Sequence, residues 1–167
     1  MIITAGGEGA FRVQTGGVTL MTEGAAGEKS RMKPDIFLRT RGDDTELPDA
    51  GFVIKGPGEY ELKEIEINGI PPFTYVVKAE ETKLCFLSSA SQKALDSLNN
   101  LDIVFVAENG GMGSLIRQLS PRLVVTTPGA EKELAKELGI AAETTDKIVI
   151  KKRDIPAEGM KLICLTT

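Results

Sequence analysis

Residues 101–125 read LDIVFVAENGGMGSLIRQLSPRLVV, and this stretch decides the fold class. Asp102 to Val106 forms a nearly continuous apolar run of the kind buried on both faces of a parallel sheet. Met112, Leu115, Ile116 and Leu119 recur at i, i+3, i+4 and i+7, the stripe of an amphipathic helix, and Pro121 stops it. Leu123-Val124-Val125 then supplies a second buried strand. A strand, a helix and a strand within this length make a βαβ-like unit.

Working outward, the C-terminal side continues in the same style. Thr127-Pro128 reads as the cap and opening of another helix running through Leu138, with Gly139 at C′. Lys147 to Lys151 and Met160 to Leu165 read as terminal strands. On the N-terminal side the chain is almost purely β. Phe11 to Thr15 and Val18 to Thr22 alternate in period two across Gly16-Gly17, the signature of a tight hairpin. Asp35 to Leu38 reads as a buried strand entering a polar cluster, Arg39 to Asp49. Phe52-Val53-Ile54 ends at the turn Gly56-Pro57-Gly58. Tyr60 and Leu62 share one parity while Ile65 and Ile67 share the other, so a bulge or a tight turn must absorb the slip. Thr74 to Val77 and Lys83 to Leu87 follow around the polar turn Glu80-Glu81-Thr82. A short helix capped by Ser91, with Leu95 and Leu98 on one face, is expected after them. No linker separates the halves, so residues 1–167 are read as one α/β domain.

Composition excludes whole classes of chemistry. The 167 residues carry 20 Lys plus Arg against 24 Asp plus Glu, a net charge of −4, and no histidine. Without imidazole there is no Ser-His-Asp or Cys-His triad, and no zinc site with a histidine ligand. The two cysteines, Cys85 and Cys164, sit in apolar runs and read as reduced core residues. Two thiolates cannot complete a structural zinc site. Mild acidity, 2 Tyr, 6 Phe and no Trp offer nucleic acid neither a basic patch nor a stacking platform. No signal peptide is visible at Met1 to Gly6 and no run reaches membrane-spanning length, so a cytoplasmic protein is expected.

Several segments, in order, resemble the metallo-β-lactamase-fold hydrolases, and within them the lactonase-like branch related to L-ascorbate-6-phosphate lactonase. These are Ile3-Thr4 with Gly7, Phe11-Arg12-Val13, Thr19 to Glu23, Pro34 to Leu38, Gly56 to Glu61, Gly69-Ile70-Pro71 and Gln118 to Val125. The most specific is Gly56-Pro57-Gly58-Glu59-Tyr60-Glu61 followed by Gly69-Ile70-Pro71. The resemblance covers nearly the whole chain, which is shorter than a typical member. It implies a shortened αββα sandwich, two sheets between helices.

The same resemblance implies that the zinc site is gone. The family motif His-x-His-x-Asp-His follows a buried strand, and after Leu38 this chain has Arg41-Gly42-Asp43-Asp44-Thr45-Glu46. Arg41, Asp43, Thr45 and Glu46 take the ligand positions, and a guanidinium repels a metal ion. Glu8 stands in the Gly-His near the first strand. Pro72-Phe73 replaces a further histidine and its loop, Ser89 stands for the bridging aspartate, and Pro128 stands near the final histidine position. A dinuclear zinc centre would lower the pKa of water and polarise the scissile group; its ligands have been exchanged at every matched position. The expectation is a bacterial-type pseudoenzyme with no catalytic residues and no cofactor, zinc included. Its remaining role would be binding to an unidentified protein or small molecule, or homo-oligomer assembly.

Three competing readings of the residues stand beside this one. Asp43, Asp44, Glu46, Glu23, Glu8 and Glu108 offer oxygen ligands for a hard metal, hence a carboxylate-ligated hydrolase or lactonase; the plainer reading is solvated loop charge. Gly110, Gly111 and Gly113 open a helix after a strand, where backbone amides can hold phosphate or a nucleotide; Ile116 breaks the dinucleotide fingerprint. Ser88, Ser89 and Ser91 have no histidine to activate them, and Lys93 cannot be placed as a partner. Finally, shortening near Pro72 is expected to uncover Phe73 and Tyr75 for a partner contact.

Overall fold

The structure is a computed structural model that describes residues 1–7, 9–23, 33–42, 47–88, 96, 98–107 and 111–167. It is built on fourteen described strands, two described α-helices and a single 3-10 turn at Lys152–Asp154. The first half runs β1 (Ile2–Ala5), β2 (Phe11–Thr15), β3 (Val18–Thr22), β4 (Ile36–Leu38), β5 (Phe52–Ile54), β6 (Gly58–Leu62), β7 (Ile65–Ile70), β8 (Thr74–Ala79) and β9 (Thr82–Leu87). The second half runs β10 (Ile103–Val106), α1 (Gly113–Leu119), β11 (Leu123–Thr126), α2 (Glu131–Leu138), β12 (Ala142–Thr145), β13 (Lys147–Val149) and β14 (Lys161–Leu165). One sheet is ordered β13-β1-β2-β3-β4-β5 and the other β12-β14-β11-β10-β9-β8-β7-β6. This is an α/β sandwich.

Side-chain alternation explains the layers. Leu84, Phe86, Ile103, Phe105, Leu123 and Val125 point between the sheets, where Val13, Leu20, Ile36 and Leu38 meet them. The neighbours of opposite parity, Cys85, Leu87, Val104, Val106 and Val124, pack against Ile116 and Leu119 of α1 and Leu134 and Leu138 of α2. Phe105 joins the two sheets: it stacks on Phe86 at 4.5 Å and meets Phe11 edge-on at 5.1 Å, both favoured ring geometries. The run 103–106 is therefore apolar throughout because both of its faces are covered.

Turn chemistry sets the registers. Gly16 and Gly17, both at positive φ, close the β2–β3 hairpin with Thr15 opposite Val18. The parity slip between Tyr60 and Ile67 is a tight turn, with Lys63 and Glu64 at φ 49 and 66 and Leu62 opposite Ile65. Glu80 and Glu81 turn β8 into β9 in the same way, and Thr82 belongs to the strand. The segment most characteristic of the resemblance has a packing explanation. A side chain on Gly69 would place its Cβ 2.5 Å from the Gly56 carbonyl oxygen, closer than atoms can approach.

One helix start differs from the sequence reading. α2 begins at Glu131 with Ala130 as its cap, and neither Thr127 nor Pro128 opens it. Thr127 is buried at the end of β11, and its carbonyl accepts the Ala130 N–H in a turn instead. The Ser91 helix lies outside the described residues, apart from Asp96 and Leu98.

Candidate functional site

Strands β9, β10, β11, β14 and β12 run parallel to one another, as do β3, β4 and β5. Their C-terminal ends place the following loops at one rim of the sandwich. There Gly9, Thr22, Glu23, Thr40, Arg41, Ser88 and Ala107 line a cleft floored by Phe11, Phe86, Leu87 and Phe105. Its volume is about 50 Å³. Ligand pockets are commonly about 300–1,000 Å³, so this space suits a few water molecules.

The wall of the cleft is tied from several sides. Glu23, only 8% exposed, accepts the backbone N–H groups of Thr40 at 3.1 Å and Arg41 at 2.9 Å through one carboxylate oxygen. Tyr75 donates its hydroxyl to the Arg39 carbonyl at 2.6 Å, and burial pushes that hydroxyl's pKa well above the ordinary value. Arg39 Nε in turn donates to the Arg41 carbonyl at 3.0 Å. Ser88 is buried; its N–H donates to Thr74 Oγ1, which donates back to the Ser88 carbonyl, each at 3.1 Å. The Ser88 hydroxyl reaches the Thr40 carbonyl at 3.5 Å, the role of a structural serine.

Arg41 is exposed and reaches back over the first loop. A Cβ placed on Gly9 would lie 3.5 Å from its terminal guanidinium nitrogen and 4.0 Å from Ala107 Cβ. Among the described residues no carboxylate forms an ion pair with Arg41. Glu23 is the one described carboxylate lining the cleft, and it already serves two amides. No group of three His, Cys, Asp or Glu that could hold a metal occurs among the described residues. Among the described lining residues, one engaged carboxylate, three hydroxyls and a guanidinium supply none of the nitrogen, thiolate or free carboxylate ligands that a zinc ion takes.

The structure brings Arg41 together with Glu23 and Ser88. Pro128 lies exposed beyond β11, and it does not line the cleft. Glu8, Asp43, Asp44, Thr45, Glu46, Ser89, Ser91, Lys93, Glu108 and Gly110 lie outside the described residues. The expected apolar contact surface needs correction. Tyr75 is fully buried in the inter-sheet core, and Phe73 is half-buried against Gly42. The chain does pass from β7 to β8 through residues 71–73 alone. Sequence reasoning missed Gly9, Thr22 and Thr40. The one local signal was the polar pair Thr22-Glu23 at the end of an alternating strand.

At the glycine turn the described amides are engaged within the chain. Gly111 N–H donates to Glu137 Oε1 at 2.9 Å and Gly113 N–H to Glu137 Oε2 at 2.7 Å. Both described amides of the candidate anion site thus hold an internal carboxylate. Gly113 lets α1 approach α2 this closely, since a Cβ there would sit 2.4 Å from Glu137 Cβ.

This layout of sheets and helices has known counterparts. A Thermotoga maritima protein described as a Zn-dependent hydrolase of the metallo-β-lactamase superfamily superposes with a TM-score of 0.78 at 16% identity, over 98% of each chain. The fold is the metallo-β-lactamase fold. A Parabacteroides distasonis protein described as a metal-dependent hydrolase matches with a TM-score of 0.61 at 15% identity, over 84% of this chain and 90% of that one. A metallo hydrolase of the hyperthermophilic archaeon Ignicoccus hospitalis matches at 0.62 and 11% identity, over 90% and 99%. No protein-family model matches the chain, and no curated protein matches it. None of the described helices is long and apolar enough to cross a membrane.

Proposed function

We propose that this chain is a metallo-β-lactamase-fold protein that has lost its zinc centre, descends from the lactonase-like branch and acts in the cytoplasm by binding or assembly instead of hydrolysis. The observation that carries the reading is the chemistry of Arg41. Its guanidinium lines the rim cleft, where the resemblance puts the first zinc-ligating histidine. A fixed cation at that wall disfavours a divalent ion by direct Coulomb repulsion, and the total absence of histidine removes the usual ligands. The small cleft volume favours a protein partner over an enclosed small molecule.

A second reading rests on a specific observation: the structural counterparts are described as metal-dependent hydrolases. In it, Asp43, Asp44 and Glu46 hold a hard metal that activates water. Elemental analysis separates the two. Purified protein equilibrated with zinc, magnesium or manganese and then dialysed is expected to retain none in stoichiometric amount. Stoichiometric metal that disappears in an Asp43→Ala/Asp44→Ala/Glu46→Ala variant overturns the proposal.

A further inference from the structure

We propose that the free margin of β6 is a docking strand for an extended peptide of alternating basic and apolar residues. β6 closes one end of the eight-stranded sheet, and no described strand pairs with its outer side. It has five residues, against four in β12 and three each in β13 and β5, the other sheet margins. It contains no proline, and its register to β7 is unbroken from Gly58 opposite Gly69 to Leu62 opposite Ile65. Sheets usually protect such margins with short strands, bulges, proline or charged side chains; the charges in this strand, Glu59 and Glu61, repel an acidic or identical strand and select a basic one.

Register decides what this margin presents. The two-residue turn makes Leu62 and Ile65 a hydrogen-bonded pair, and antiparallel alternation makes Tyr60 and Gly58 the next two. Glu59 and Glu61 lie between them and direct their N–H and C=O groups outward. Tyr60 and Leu62 pack toward the inter-sheet core, so the carboxylates of Glu59 and Glu61 stand on the opposite face. Both residues are exposed. Glu66, across from Glu61, is neutralised by Lys78 at 3.5 Å, whereas among the described residues Glu59 and Glu61 form no ion pair. The same two residues thus offer backbone partners and negative charge.

The other face of this margin is aromatic. Phe52 on the adjacent margin is 42% exposed and meets the Tyr60 ring edge-on at 6.4 Å. The Tyr60 hydroxyl lies against the carbonyls of Gly56 and Pro57, at 3.4 and 3.3 Å. A strand docked on β6 would set basic side chains beside Glu59 and Glu61, with an apolar residue between them directed toward Tyr60 and Phe52. A second copy fits poorly. Antiparallel self-pairing centred on Tyr60 would face Glu59 with Glu61 twice, and like charges directly across a ladder destabilise it.

This inference specifies the binding half of the reading above and shares no residue with the cleft. The test is fluorescence anisotropy of the intact chain with a labelled peptide alternating Arg and Val. Saturable binding that salt weakens is expected. Glu59→Lys/Glu61→Lys, both on exposed positions, should weaken it about tenfold or more and transfer preference to a peptide alternating Glu and Val. N-methylation of the arginine amides should abolish it. No saturable binding, or binding indifferent to the double substitution or to N-methylation, overturns the proposal. So does concentration-dependent dimerisation, by light scattering, that the double substitution removes. Stoichiometric metal in the cleft would defeat the proposed function and leave the peptide result standing.

Discussion

Glu23 holds Arg41 by its backbone: a carboxylate oxygen of the first accepts the amide N–H of the second at 2.9 Å. The acid therefore fixes where the cation's main chain lies. The loop after β4 keeps its path with Glu23 as its anchor.

Replacing Glu23 with alanine should cost about 1–3 kcal/mol, because two N–H groups at the cleft wall lose their acceptor. Glu23→Gln keeps an acceptor oxygen and should lose less. Urea denaturation of the three proteins measures the order; equal losses for both variants would show that the charge, and not the acceptor, matters.

Gly113→Ala should destabilise the fold by about 1–3 kcal/mol, the range for overpacking, because its Cβ would meet that of Glu137. Glu137→Ala should also destabilise by leaving the Gly111 and Gly113 amides without a partner. The two residues touch, so their effects should fail to add in a double-mutant cycle.

Acid should unfold the protein partly through Asp35 and Glu80. The Thr19 N–H and then Lys63 hold the Asp35 carboxyl below 3.8; the Thr15 hydroxyl and then the amino terminus hold Glu80 below 4.5. A depressed folded pKa means that the unfolded chain binds more protons as pH falls. Their contribution is present above about pH 4–5, where both are ionised in either state, and is lost as pH falls through the lower folded values. Asp35→Asn and Glu80→Gln should each flatten this limb in thermal melts recorded across pH.

Neither cysteine should react with a thiol reagent in the native state. Cys85 is fully buried, with its thiol pushed up to about 12 by burial, and burial also raises Cys164. Thiolate is the reactive form. Ellman titration should therefore find both thiols only after denaturation, and native reactivity at either one would refute the packing.

Legibility in the sequence followed the range of the forces. The Gly16-Gly17 hairpin and the stretch 103–125 were readable because alternation, helical spacing and turn residues are local. The strands β1 and β12 were weak signals, since each has four residues of which few are buried. The start of α2 was misplaced because Thr127 satisfies the local rule for a cap while tertiary packing buries it just past β11. The site divided in the same way. The position of Arg41 came through the resemblance, but the Glu23 anchor spans 18 residues and the Glu137 contact with Gly111 spans 26. No periodicity reports contacts of that reach.

The chain passes from β12 in one sheet to β13 in the other with Asp146 alone between them, and from β5 to β6 through residues 55–57. The sandwich is thus bound along both long sides, like a book glued at spine and fore-edge. Its leaves cannot swing apart to deepen the cleft. Any widening of the mouth must come from the loops above it, so the depth available to a guest is a fixed property of the core.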